Sequence, residues 1–134
     1  MHLYITALMA AALALLLVAL AIATIILRMR YGAAFGDAGQ QPLTSAIRAH
    51  GNLAEYMPIG ITLTGLLEAS GVNHVLLGGL AAGFVAARLL NAVGLFAPPG
   101  PPPPWPRAVG IVATLLILAV MALWLVASVL QTMS

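Results

Sequence analysis

The chain has 134 residues, 63% hydrophobic and only 6% charged, with a formal net charge of +2. A soluble domain carries about a quarter charged residues, so this chain is too poor in charge to cover a water-facing surface, and its net charge is too small for a nucleic-acid footprint. The absence of cysteine excludes a disulfide framework, a thiolate metal site and a cysteine nucleophile. Any thiol chemistry must use a thiol supplied by a substrate.

A membrane-spanning helix needs about 20 mostly apolar residues. The first such run extends from about Leu3 to Leu27 without a charge. It is too long for the apolar part of a signal peptide, and no basic segment precedes it. The polar stretch from Arg28 to Gln41 contains Gly36-Asp37-Ala38-Gly39, which is loop chemistry. The second helix is predicted from Pro42, a residue suited to a first helical turn, to Ala69. It is polar or mixed to Asn52 and apolar from Leu53, with Pro58 predicted to kink it. Ser70-Gly71-Val72-Asn73 reads as a short turn, with Asn73 capping a third helix from His74 to Phe96.

Ala97 to Pro106 holds seven prolines and predicts a stiff, extended spacer, in preference to a ligand for a proline-recognising domain. The fourth helix is predicted from Arg107 to Leu130, with Trp105 and Trp124 as interface or packing aromatics. The fold class is therefore all-α, a single integral membrane unit of four up-and-down helices. All five basic residues are arginines, and the second loop and both termini contain none of them. The positive-inside rule then puts the first and third loops in the cytoplasm and both termini on the opposite side.

Two ionisable residues lie within apolar segments, Glu55 on the second helix and Arg88 on the third. Each costs roughly 2.5–3.5 kcal/mol to insert at a helix centre. Counting back from the short turn, both lie about 20 Å from it at 1.5 Å per residue, which predicts that they sit level and pair. A pair that merely fixes helix register is the bland alternative. The neighbours favour a site. Arg48, Asn52 and Glu55 share one helical face at i, i+4 and i+7, flanked by Tyr56, and Asn91 lies one turn beyond Arg88. Arginines hold carboxylates bidentately. Asn offers amide contacts, Glu an ammonium partner and Tyr a hydroxyl. That set suits a small zwitterion with several carboxylates.

Other polar residues read more plainly. Arg28, Arg30 and Arg107 border the cytoplasmic side, Arg30 as a topology signal. Glu68 is expected to be solvated near the far membrane face. His2 and His74 are expected to be wet, and His50 lies off the main stripe. No metal cluster is visible. Small residues recur every four positions on the third helix (Gly79, Gly83 and Ala87, with Gly78, Ala82 and Ala86 alongside), which lets helix backbones approach within one subunit or between subunits.

The segment Arg48-Ala49-His50-Gly51-Asn52-Leu53-Ala54-Glu55-Tyr56-Met57-Pro58 resembles the second-helix signature of the MAPEG family, the membrane-associated proteins in eicosanoid and glutathione metabolism. Leu27 to Tyr31 and Phe35-Gly36-Asp37 resemble its bacterial branch, and Ala87-Arg88-Leu89 with Gly94 is similar to its third-helix motif. The resemblance implies a homotrimer in a bacterial inner membrane, with glutathione bound between neighbouring subunits. It implies glutathione contacts at Arg48, Asn52, Glu55, Tyr56 and Arg88, with Asn91 beside them. It implies thiol activation by Arg107, with Arg28 as a second basic residue facing the site. A guanidinium would stabilise the thiolate for attack on a small hydrophobic electrophile arriving from the lipid. Two departures stand out: glutathione-using synthases of the family carry tyrosines where Asn91 and Leu95 stand here. A non-enzymatic lipid-binding or scaffold role is the alternative; a transporter is disfavoured by the lack of an inverted repeat.

Overall fold

A computed structural model describes residues 3–97, 101 and 104–133. Four helices follow in order: α1 Tyr4–Tyr31, α2 Gln41–Ala69, α3 His74–Phe96 and α4 Trp105–Met133. No strand occurs among the described residues. The short connections make successive helices antiparallel neighbours. The middle of the bundle is α2 and α3: α1 and α4 each pack against both of them, and among the described residues the α1 and α4 backbones do not approach each other closely.

This arrangement follows from where polarity lies along the chain. Helices α1, α3 and α4 are long and apolar enough to cross a membrane, whereas α2 does not reach that standard by composition. Its polar groups need protein around them, because an unpaired polar group in hydrocarbon is expensive. Accordingly α2 occupies the middle, and α1 and α4 expose Leu8, Leu15, Leu116 and Leu123 outward. In lipid such faces cost nothing.

Several ends differ from expectation. Helix α1 runs past Arg28 to Tyr31 and stops where Gly32 adopts a left-handed φ of 61°. Helix α4 starts at Trp105, with Pro106 in its first turn, two residues before the predicted start. Asn73 caps α3 as predicted, its side chain accepting from the Val75 and Leu76 amides at 3.0 Å each. Helix α2 is continuous through Pro58. Residues 98–100, 102 and 103, and with them half of the expected proline spacer, lie outside the described residues, as does His2.

Glu68 is the main correction. It is not solvated but 4% exposed. Its carboxylate accepts from the amides of Ile5 (2.9 Å) and Thr6 (2.8 Å) and from the Thr6 hydroxyl (2.6 Å). The first amides of α1 have no partner within their own helix, and the apolar Leu3 at the cap position has no acceptor to offer them. A carboxylate from α2 takes that role, favoured also by the positive end of the α1 dipole.

Close packing rests on a few glycines. A Cβ on Gly60 would lie 2.6 Å from the ring of the fully buried Phe84, so α3 seats an aromatic against α2 there. A Cβ on Gly110 would lie 2.7 Å from the Ala87 carbonyl, and one on Gly94 2.7 Å from Arg107 Cα, so α3 and α4 meet at bare backbone. Of the predicted small-residue stripe, Gly83 approaches Ile117 of α4, whereas Gly78 and Gly79 have no such neighbour.

In the α1–α2 loop, Asp37 accepts from the Thr44 hydroxyl (2.7 Å) and the Gly39 amide (3.0 Å), which hold its carboxyl below its ordinary value of 3.8. A depressed carboxyl contributes stability that is complete above the unfolded value and is lost as pH falls through the folded one. The loss of melting temperature caused by Thr44→Val should therefore be constant above pH 3.8 and shrink below it. Glu68→Ala should cost about 1–3 kcal/mol and raise amide exchange at Ile5 and Thr6 before it does so at the centre of α3.

Candidate functional site in the α2–α3–α4 cleft

Three helices converge on Arg88. It is 2% exposed. One terminal nitrogen donates to Asn52 Oδ1 of α2 at 2.8 Å. The other donates to the Gly110 carbonyl of α4 at 3.2 Å and to the Thr114 hydroxyl. The guanidinium also lies 4.9 Å from the Tyr56 ring centroid and 6.0 Å from that of Phe84, within cation–π range. Thr114 in turn donates to the Gly110 carbonyl at 2.7 Å.

The predicted ion pair between Glu55 and Arg88 does not form. Hairpin arithmetic sets height along the axis but not rotation about it. Rotation turns Asn52 inward to Arg88 and leaves Glu55 exposed. Every direct partner of the buried cation is neutral, so its charge is not cancelled locally.

Beside this junction lies a cleft of about 270 Å³, lined among others by Arg48, Asn52 and Glu55 of α2, Asn91 of α3 and Arg107 of α4. It adjoins a second cleft of about 480 Å³ toward the α3–α4 connection, which shares Arg48, Leu95 and Arg107 and adds Gln41, Thr44 and Ser45. Together they lie in the range of ligand sites, roughly 300–1,000 Å³. The inner cleft has two cations against one carboxylate. Arg107 stands in the first turn of α4, where the helix dipole adds positive potential. An anion is favoured there on both counts.

Of the residues predicted for the site, Arg48, Asn52, Glu55, Asn91 and Arg107 meet in this cleft within one chain. Tyr56 and Arg88 form the layer behind it. Arg28 does not join them: it sits at the end of α1, donating to the carbonyls of Ala33 (3.2 Å), Ala34 (3.2 Å) and Gly36 (3.1 Å). His50 does not line the cleft. Sequence reasoning missed Thr114 and the Gly110 carbonyl. A signal was present, because Arg107, Gly110 and Thr114 fall at i, i+3 and i+7 on an otherwise apolar helix, so the only threonine in the middle of α4 shares a face with its arginine.

The model of the MAPEG family matches residues 6–127. The chain belongs to the MAPEG family. It is similar to the inner membrane protein YecN of Escherichia coli strain K12, 39% identical over 90 residues, covering 67% of this chain and 69% of that protein. The YecN protein of Escherichia coli O6:H1 matches to the same extent. No solved structure matches. Family membership agrees with the four-helix membrane fold and with the polar face of α2 that carries the signature.

The Arg88 junction makes a specific demand of this MAPEG chain. Thr114→Val removes an acceptor from a buried cation while keeping side-chain shape. It should destabilise the protein by about 1–3 kcal/mol, whereas Thr114→Ser should cost much less; melting in detergent checks both.

Proposed function

We propose that this chain binds glutathione in the α2–α3–α4 cleft and activates its thiol for attack on a small hydrophobic electrophile from the lipid. The observation that carries this reading is the meeting of Arg48, Asn52, Glu55, Asn91 and Arg107 around one cleft in front of an uncompensated Arg88. The donor set fits a zwitterionic tripeptide. Glu55 offers an ammonium partner, Arg48 a fork for a carboxylate, and the Asn52 and Asn91 side chains amide contacts. Two buried side-chain donors, Arg88 Nε and Asn91 Nδ2, have no protein partner.

Arg107 is the residue placed to hold a thiolate. A free thiol titrates near 8.5. A guanidinium in the first turn of α4 favours the thiolate, the proton passing to solvent; the sulfur lone pair then forms a bond to the electrophilic carbon, and either a leaving group departs with its bonding pair or the displaced π-electrons take up a proton from solvent. Family membership supports glutathione chemistry in general, and the YecN relatives support a bacterial inner membrane. We place the first and third loops in the cytoplasm and both termini opposite. We also read the functional unit as a homotrimer. An exposed Glu55 on a helix packed among membrane spans needs water or a neighbouring subunit in front of it.

A second reading has its own observation. Arg28 is engaged with loop carbonyls, and an almost wholly apolar groove of about 440 Å³ lies between α1 and α3. A lipid-binding or scaffold role without thiol chemistry would need no more. The two readings differ at Arg107. If glutathione is the thiol donor, purified protein should show thiolate absorbance at pH 7 and conjugate a hydrophobic electrophile. Arg107→Ala should then lose the thiolate signal and about 10²–10³-fold in rate. No binding at millimolar glutathione refutes the enzymatic reading.

A further inference from the structure

Phe35 is 93% exposed, more than any other large apolar side chain among the described residues. It stands in the α1–α2 loop, and the backbone around it is pinned. One terminal nitrogen of Arg28 donates to the carbonyls of Ala33, Ala34 and Gly36, so the residues on both sides of Phe35 are held. Ala33 is buried. Two residues beyond Phe35, Asp37 ties the loop to α2 by accepting from the Thr44 hydroxyl. Gly32 and Gly36 take the left-handed φ of 61° and 63° on which this path depends. A fixed backbone thus presents the ring outward. It lines neither cleft of the candidate site, nor the apolar groove between α1 and α3.

The neighbours set the level of this loop against the bilayer. Ile22, Ile25, Ile26 and Met29 are exposed at i, i+3, i+4 and i+7, so the outward apolar stripe of α1 reaches its last turns. At the same end of the bundle Phe96 closes α3 and Trp105 opens α4, and both are exposed. Aromatic side chains gather where hydrocarbon meets the headgroups. Arg30, also exposed, lies beside the stripe, 5.9 Å from the Tyr31 ring centroid. From Arg28 to Gln40 the chain carries two arginines against one carboxylate, and Thr44 and Gly39 engage that carboxylate. The balance complements anionic lipid headgroups.

We propose that the α1–α2 loop is a membrane-surface anchor, with Phe35 inserted among the upper acyl chains beside α1 and Arg30 meeting lipid phosphates. The lipid continues the contact that the α1 stripe makes. In water the ring would stay hydrated at a cost, because its pinned backbone cannot fold it away. The anchor is independent of what the cleft binds. It also ties the cleft to the bilayer surface, since Thr44 both holds Asp37 and lines the outer cleft.

The chain has no cysteine, so Phe35→Cys accepts a single nitroxide label without further changes. In nanodiscs of phosphatidylglycerol, oxygen, which concentrates in lipid, should relax this label more than a water-soluble nickel chelate does. A label at Ala34→Cys tests the native ring. It should show the same preference, and adding Phe35→Asp should shift it toward the chelate. Arg30→Gln should shift both labels the same way, and less so in phosphatidylcholine. Stronger relaxation by the chelate at Phe35→Cys puts the loop in water and overturns the proposal. Weak relaxation by both agents means that protein, such as a second copy of the chain, covers the position, which overturns it equally. An Ala34→Cys label indifferent to Phe35→Asp refutes insertion of the ring, and labels indifferent to Arg30→Gln refute the phosphate contact.

Discussion

The structure turns on one buried guanidinium. Arg88 sits where α2, α3 and α4 meet, and each of its helix-spanning bonds goes to a neutral oxygen. Three acceptors engage its two terminal nitrogens but leave Nε without a partner and its charge uncancelled. Pairing it with a carboxylate would have cancelled the field that now extends into the cleft. Removing it would leave Asn52 and Thr114 with unmatched oxygens. The arrangement serves as a junction for the bundle and leaves positive potential beside the cleft, and it explains why the polar helix occupies the middle.

The opposite end of the bundle uses the same logic with the charge reversed. Glu68 meets amides at the start of α1 that no side chain of α1 itself could cap. Charge on the helices of this MAPEG protein thus divides by partner. Glu68 and Arg88 are engaged by protein and hold helices together. Arg48, Glu55 and Arg107 are exposed, and they gather around one cleft. The division separates structural from cleft-facing charge in a way that burial of the helices alone does not.

Much of the site was legible in the chain. The i, i+4, i+7 spacing of Arg48, Asn52 and Glu55 placed them on one face because helical geometry is local. The short turn at Ser70–Asn73 brought Arg88 to within a turn of that face. What hairpin counting does not address is rotation about the helix axis, so Asn52 rather than Glu55 took the contact. Glu68 was misread for a related reason. Its partners, two backbone amides and the Thr6 hydroxyl, lie more than sixty positions away, and backbone groups leave no mark in composition or spacing.

The sequence by itself determined that this is a four-helix membrane protein, where its spans lie to within a few residues, and which polar residues of α2 belong together. Those properties depend on hydrophobic length and on the 3.6-residue repeat, both of which are local. Only the tertiary structure decided what stands opposite each charge. It brought Arg107 to the face of Arg48 and Asn91, kept Arg28 in its own loop, and left Asn91 Nδ2 without a partner. Each outcome depends on how helices rotate and approach at Gly60, Gly94 and Gly110, where backbone meets a neighbouring helix at distances that no side chain would allow.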